Sequence, residues 1–546
     1  MTARSHRLDG LGTAISIALT AATMFAPVQA QSSDTALASL YAEWRAFEAP
    51  PRIDGAPDYT PATTKRRHSE LKKLQQRLAR IDASEWSVEE KVDLEIIRAE
   101  MNGLDFHIRV LQPWTRDPAF YQQILTYQTD VPAQEGTTNH ALIALWAYEF
   151  PLDDDAAEKL ASELRTIPPL LKQACGNLTG NAADLWRAGV KTMEDQASAL
   201  AALAPKLTRE ETRAAQAEAL AATQGFAAWL KAEAPNKTGP SGVGKENYTW
   251  MLQNVYLVPL TWEDEAMLLT RELKRAHAAL KLEEQRNRGL PSLSAAQSAE
   301  DYERRGVAGA RKFMAFLEDN DVIEIKDYME PALLAKIGSF SSEDERNFFD
   351  IATHLEPMTL MTHYYHWWDL ARMKEEPNAR AVRRDPLLYN LWMSRAEGMA
   401  TAMEEMMLHA GLYDDNPRAR EIVWIMLAQR AARGLASLYA QANEFTMKDA
   451  SDFHVEWTPR GWMSPDLDLL GTEQQLYLRQ PGYGTSYVTG KHQIEMLLAD
   501  RAHQEGDDYS LKHFFREINA AGMIPLSLIR WELTGDDSEI EAMAGR

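Results

Sequence analysis

Leu71-Lys72-Lys73-Leu74-Gln75-Gln76-Arg77-Leu78 sets leucine at intervals of three and four residues, with long polar side chains between. That spacing lines one face of an α-helix, which turns every 3.6 residues. It does not suit a strand, whose side chains alternate with period two. The pattern returns in Ala266-Met267-Leu268-Leu269 and in the Glu/Lys-rich run that follows to Glu284. Helix starts are marked as well. Ser87 precedes Glu89 and Glu90, and Thr261 precedes Glu263 and Glu265. A hydroxyl there caps free N–H groups, and carboxylates favour the positive end of the helix. Alternating patterns are few, and Asp321-Val322-Ile323-Glu324-Ile325 is the best strand candidate. The expected fold class is all-α: a large, two-lobed helical bundle with minimal β structure. The irregular stretch at 235–242 divides an N-terminal helical lobe (31–240) from a C-terminal one (241–546), packed as one unit.

The chain has 546 residues, 45% apolar and 25% charged, enough for a sizeable core. Its formal charge of −22 argues against a nucleic-acid partner, which needs a basic surface. The short run Lys65-Arg66-Arg67-His68 reads as a solvated helix face. One cysteine, Cys175, excludes intramolecular disulfides and a Cys-based zinc site, and its helical context reads as a packing position. Arg4 and Arg7, the apolar stretch from Leu11 to Phe25, and Val28-Gln29-Ala30 form a signal-peptide pattern over residues 1–30. No later segment has 18 uninterrupted apolar residues, so no stable membrane insertion is expected after cleavage. Export without disulfides points to a bacterial periplasm. No motif specifies an oligomeric state.

Polar and aromatic residues concentrate between Thr353 and Asp369. Read as one helix from Pro357, this stretch places Glu356, His363 and His366 near one face. Two histidines three apart could bind a divalent metal or do acid–base work with a tyrosine. They could equally be satisfied core residues. Arg479-Gln480-Pro481-Gly482-Tyr483-Gly484 reads as a tight turn opening a helix, where exposed amides suit an anion. Glu397, one residue before Gly398 in an Ala/Met-rich helix, is a candidate inward carboxylate.

Several segments together resemble the bacterial domain-of-unknown-function 885 family, helical zincin-like proteins often described as carboxypeptidase-like. They are Arg116-Asp117-Pro118; Gly244-Lys245-Glu246-Asn247-Tyr248; Arg395-Ala396-Glu397-Gly398 with Gly411-Leu412-Tyr413; Pro481-Gly482-Tyr483 through Ser486, Tyr487 and Gly490; and Gly522-Met523-Ile524-Pro525-Leu526. The resemblance implies a zincin-like helical fold and a His-Glu-x-x-Pro-Gly-His signature. It also implies a later glutamate in Glu-Gly as third metal ligand, which corresponds to Glu397. The last histidine of the signature falls on His366, and its first histidine and catalytic glutamate fall on Leu360 and Met361. None of the thirteen histidines is followed by glutamate. An aspartate and a histidine of the family's next helix fall on Ser437 and Gln441.

Zinc hydrolysis needs metal ligands and a carboxylate that takes a proton from water. The signature here lacks that carboxylate, so the expectation is a metal-independent enzyme on a metallopeptidase-like scaffold. Tyr364, Tyr365, Trp367, Trp368 and Trp392, with Arg479 and Tyr483, would bind a small aromatic substrate. His363, His366, Glu397, Tyr487, Lys491 and His492 would supply acid–base groups. The concrete form is a carbon–carbon lyase that releases formaldehyde from a lignin-derived phenylcoumaran and leaves a stilbene, the phenylcoumaran γ-formaldehyde lyase type. Two alternatives remain. One is a hydrolase whose rearranged site holds zinc on His363, His366 and Glu397. The other is a catalytically inactive ligand-binding protein. No cofactor is expected in the leading reading.

Overall fold

Thr261 and Asp264 form a reciprocal capping box at the start of the Trp262–Arg286 helix, and Ser87 and Glu90 do the same for the Val88–Phe106 helix. In this computed structural model, which describes residues 33–135 and 138–544, helices of this kind make up nearly all regular structure. The β content among the described residues is two two-stranded pairings and an isolated bridge between Ala182 and Gly239. Arg52–Ile53 runs antiparallel to Ala56–Pro57, and Ile124–Leu125 parallel to Ile143–Ala144. The all-α expectation therefore holds. The strand expected at 321–325 does not form: Asp321 turns with φ 52°, and Val322 and Ile323 are buried as loop residues. The signal-peptide pattern lies outside the described residues. No helix among the described residues is long and apolar enough to cross a membrane.

The apolar interior forms two large clusters. One joins residues Leu37 to Val131 with Val243 to Met543; the other runs from Ala56 to Ala234. A small cluster with Leu185, Ala436 and Leu478 lies between the Ala183–Leu203 and Pro417–Gln441 helices. The first helices of the chain thus share their core with the C-terminal half rather than with the residues that follow them.

Two further expectations change. Cys175 is exposed, because the Ile167–Asn177 helix turns Ile167, Leu170, Leu171 and Ala174 inward and leaves Cys175 beside that face. Arg67 is buried, and its guanidinium donates to the carbonyls of Phe47 and Glu48 at 2.9 and 2.8 Å. Only the rest of that basic run faces solvent or its edge.

Two helices set the site. Met393–Ala410 and Tyr483–Glu505 cross where Gly398 meets Gly490. A Cβ on either glycine would overlap the other helix's backbone. The glycine of Glu397-Gly398 is therefore what lets the two helices come together, and that approach brings Glu397 beside Tyr483. Pro417–Gln441 is buried along almost its whole length, including Arg430 and Arg433.

Candidate active site

The stretch after Pro357 is not one helix. Met358–Met361 makes a single turn, Thr362 to Tyr364 breaks it, and Tyr365–Glu375 begins anew. The break separates Glu356 from the histidines. Its carboxylate accepts from Asn416 Nδ2 at 2.7 Å and from the Met358 amide at 3.3 Å. His363 and His366 remain together, with ring centroids 5.0 Å apart.

Glu397 comes to them from the Met393–Ala410 helix. His366, His363 and Glu397 each offer a ligand atom, and these atoms lie within 4.8 Å of one another. His366 Nε2 is 3.0 Å from Glu397 Oε2, and both residues are about 1% exposed. Yet neither of these atoms makes a hydrogen bond, and His366 Nδ1 has no partner either. The pair is close without an N–H pointing along the line. Two atoms bound to one zinc at about 2.0–2.1 Å sit roughly 3.0–3.4 Å apart. A buried nitrogen and oxygen at that separation, with no aligned hydrogen bond between them, have the spacing of two ligands of one divalent cation, which would take the place of the proton on His366. His363 Nδ1 lies 2.9 Å from Glu404 Oε1. A carboxylate beside one ring nitrogen is how metal-binding histidines are usually oriented, with the other nitrogen left for the ion.

A second set of carboxylates meets the first. Asp130, Glu135 and Glu397 also bring oxygens within 4.8 Å of one another. The Tyr483 hydroxyl lies 2.5 Å from Glu135 Oε1 and hydrogen-bonds Glu397 Oε1. One hydroxyl proton serves two carboxylates, so one carboxyl must carry a proton of its own. Burial, then Asp130 and Glu397, pushes Glu135 up to about 8, which makes it the proton holder. Burial works against charge on Glu397 too, but His366 outweighs it and holds Glu397 below the usual carboxylate range. His366 responds in kind: burial opposes its charge, while Glu397 and then Asp130 raise it to about 9. His363 has the opposite fate, pushed well below the usual range by burial and then by Arg430.

Behind these groups stand buried cations. Arg430 Nη2 is 2.6 Å from Glu404 Oε1, and Arg433 Nη1 donates to Glu473 Oε1 at 2.6 Å. The Arg433 guanidinium lies 4.0 Å over the Tyr487 ring, which stacks on His363 at 6.2 Å. The Tyr487 hydroxyl makes no hydrogen bond among the described residues. Burial, then Glu397, keeps it protonated.

The structure brings together His363, His366, Glu397, Tyr483 and Tyr487 of the expected set. Lys491 and His492 are elsewhere. The Lys491 ammonium pairs with Glu405 at 2.9 Å and Glu495 at 2.5 Å, in a cluster that includes Arg275. His492, half-buried next to it, faces Glu495 and Glu272. They follow Gly490, where the helix has turned past the crossing. Arg479 Nε donates to Asp117 Oδ2 at 2.7 Å and lines a narrow cavity with Tyr256 and Tyr389.

The expected aromatic walls are mostly structural. Tyr365 donates to Asn519, Trp368 stacks on Phe313 and donates to the Met329 carbonyl, and Trp392 donates to the Leu387 carbonyl. All three are buried, because their rings point into the apolar core rather than toward His366. Trp367 lies under the Lys336 ammonium. Tyr364, near Asp130, is the member of that run on the site's side.

Asp130, Glu135, Glu404, Arg430 and Arg433 were not legible in the sequence. The last two had a signal: arginines inside a helix that is otherwise apolar all round must be paired in the interior. Leu360 and Met361, at the signature's lost positions, are core residues. Ser437 caps the Gly434 carbonyl, and Gln441 donates to the carbonyls of Tyr477 and Leu478.

Two solved structures share the fold. One, from Shewanella oneidensis, is described as "a putative lipoprotein of unknown function"; it aligns with TM-score 0.67 at 15% identity over 92% of this chain and 100% of that one. The other, from Colwellia psychrerythraea, is described as "the putative lipoprotein"; it aligns with TM-score 0.62 at 12% identity over 94% of this chain and 100% of its own. No curated protein matches the sequence. A family model described as "Bacterial protein of unknown function (DUF885)" matches residues 49–338, ending before His363. That match spans more than half of the sequence, and the chain belongs to the DUF885 family of bacterial proteins.

Proposed function

We propose that the chain is an exported, metal-dependent acid–base enzyme, with hydrolysis as its reaction, and that His363, His366 and Glu397 hold the metal. The observation that carries this reading is the pair of orphaned, buried atoms His366 Nε2 and Glu397 Oε2 at 3.0 Å. A divalent cation in such a site acts as a Lewis acid on a substrate carbonyl. The remaining chemistry falls to the chain. Glu135 takes the proton from an attacking water at its carboxylate and returns it to the leaving group. With its carboxyl at about 8, the ionised minority at neutral pH is the form that acts as base, and the share of that form grows as pH rises toward 8. It supplies the carboxylate missing from the family signature, from a different part of the fold. Tyr483 relays between Glu135 and Glu397, fixing both. The Tyr487 hydroxyl, with Arg433 against its ring, donates to oxygen that gains negative charge. Export to the periplasm belongs to the same proposal and rests on the residue 1–30 pattern.

The formaldehyde-releasing lyase is a second reading, favoured by the free Tyr487 hydroxyl. There Glu135 takes the proton of a primary alcohol, the carbon–carbon bond breaks, and Tyr487 donates to the departing phenoxide. The loss of Tyr365, Trp368 and Trp392 to the core weakens the case for an aromatic guest and places this reading second.

Metal analysis of purified protein tests the proposal. The expected result is close to one divalent metal per chain, lost in folded His366→Ala, with hydrolysis of ester or peptide substrates abolished by a chelator. A folded wild-type protein that takes up no metal from zinc, manganese or cobalt overturns it. Conversion of a phenylcoumaran alcohol to stilbene and formaldehyde, unaffected by chelator, would select the second reading instead.

A further inference from the structure

A cavity of about 510 Å³ lies beside the same two helices that carry His366 and Glu397. Asp369 and Arg372 reach it from the Tyr365–Glu375 helix, and Arg395 from the Met393–Ala410 helix. Its lining holds seven arginine and lysine side chains against three carboxylates, in a chain whose net charge is −22.

Part of that charge is answered locally. Arg383 pairs with Asp93 and Glu532, Lys512 with Asp321, and Lys326 with Glu324. Two guanidinium groups are not, and a third is answered only in part. Arg384 donates only to the carbonyls of Asn378 and Ala379, and Arg516 only contacts His513 Nδ1 at 3.3 Å. Neither has a carboxylate within ion-pair distance among the described residues. Arg395 is fully buried, yet it shares its one carboxylate, Asp369, with Arg372. Its Nη atoms are 3.3 and 3.4 Å from Asp369, Nη2 also donates to Asn519 Oδ1 at 2.9 Å, and its Nε has no partner. A buried guanidinium with an idle donor at the wall of a cavity is costly unless an anion completes it. The other walls are apolar: Ile323, Met329, Met373, Phe515 and Met523.

We propose that this cavity binds a small organic anion, a phosphate or carboxylate group on an apolar body, with Arg384, Arg395 and Arg516 on the charged group. Guanidinium forks suit both oxyanions, and the apolar wall receives the rest of the molecule. The source is either a soluble metabolite or a lipid headgroup with its chain. The site is separate from the metal-dependent reading, and its test needs no turnover.

Phenyl phosphate, phenylacetate and phosphatidylglycerol vesicles serve as probes against protein treated with EDTA, so that metal binding at His363, His366 and Glu397 plays no part. Calorimetry is expected to show saturable, salt-sensitive binding of phenyl phosphate or phenylacetate. Affinity should fall at least tenfold in R384E/R516E, whose two positions are exposed, and by a smaller factor in R384Q/R516Q. Vesicle co-sedimentation lost in the same variants, without binding of the soluble probes, assigns the headgroup as the source. Binding that is equal in wild type and both folded variants overturns the proposal. So does the absence of saturable binding by all three probes at millimolar concentration.

Discussion

Glu265 offers a prediction whose size follows from the structure. Its carboxylate lies between helices, accepting from Tyr248 Oη at 2.7 Å and Thr489 Oγ1 at 2.8 Å, and it is 1% exposed. Burial, against the opposing effect of Tyr248 and Thr489, pushes it up to about 7 from the ordinary 4.5. The folded state therefore binds this proton more tightly than the unfolded chain does. The stabilisation is complete below the unfolded value near 4.5 and is lost as pH rises toward 7. At about 1.4 kcal/mol for each tenfold change in proton affinity, the loss is about 3 kcal/mol. Glu265→Gln keeps the shape and, like the protonated acid, one accepting oxygen and one donor, but cannot ionise. Relative to wild type, the variant should gain about 3 kcal/mol between pH 4.5 and pH 8. A chain of this length unfolds with an entropy near 1 kcal/mol/K, so the gain reads as about 3 °C in Tm. Scanning calorimetry of both proteins at four pH values isolates the effect, because all other titrating groups cancel in the difference. Parallel Tm curves across that range would refute the claim that Glu265 is buried with its proton.

Other outcomes are expected. Gly398→Ala should lower stability by about 1–3 kcal/mol or prevent folding, since its Cβ meets the Gly490 backbone, and thermal unfolding reads it. Trp368→Ala should cost about 3–5 kcal/mol, as a buried ring stacked on Phe313; a near-neutral Tm would return Trp368 to the candidate binding residues. Cys175 should react with a thiol reagent at one equivalent per chain without denaturant, and protection until unfolding would contradict its exposure. Glu135→Gln should remove the dependence of kcat/KM on a group near pH 8 and leave metal content unchanged; an intact pH profile would exclude Glu135 as the proton carrier.

Sequence periodicity determined the helical class, because leucines three and four apart have one low-energy arrangement that buries them all. Local chemistry also marked element starts: the Ser87 and Thr261 capping boxes and the Pro481-Gly482 turn, where Gly482 takes φ +85°, all form. The pairing of His363 with His366 was legible as well, since residues three apart across one turn remain neighbours even though the helix is broken there. Glu397 could be named from its Glu-Gly context, but its reach to His366 depends on the Gly398–Gly490 crossing. That crossing lies between helices about ninety residues apart in the chain. Asp130 and Glu135 enter from an irregular segment with no periodic signal at all. Tyr365, Trp368 and Trp392, expected to bind substrate, are core residues for a related reason. Composition says that a ring wants burial, and only packing says whether it is buried against core or against a ligand. Lys491 illustrates the same limit: one residue past Gly490, its ammonium turns to Glu405 and away from the site. Backbone propensity acts over a few residues and can be read along the chain. Charge pairing and the orphaned His366–Glu397 contact arise between segments far apart in sequence, so only the tertiary structure decided them.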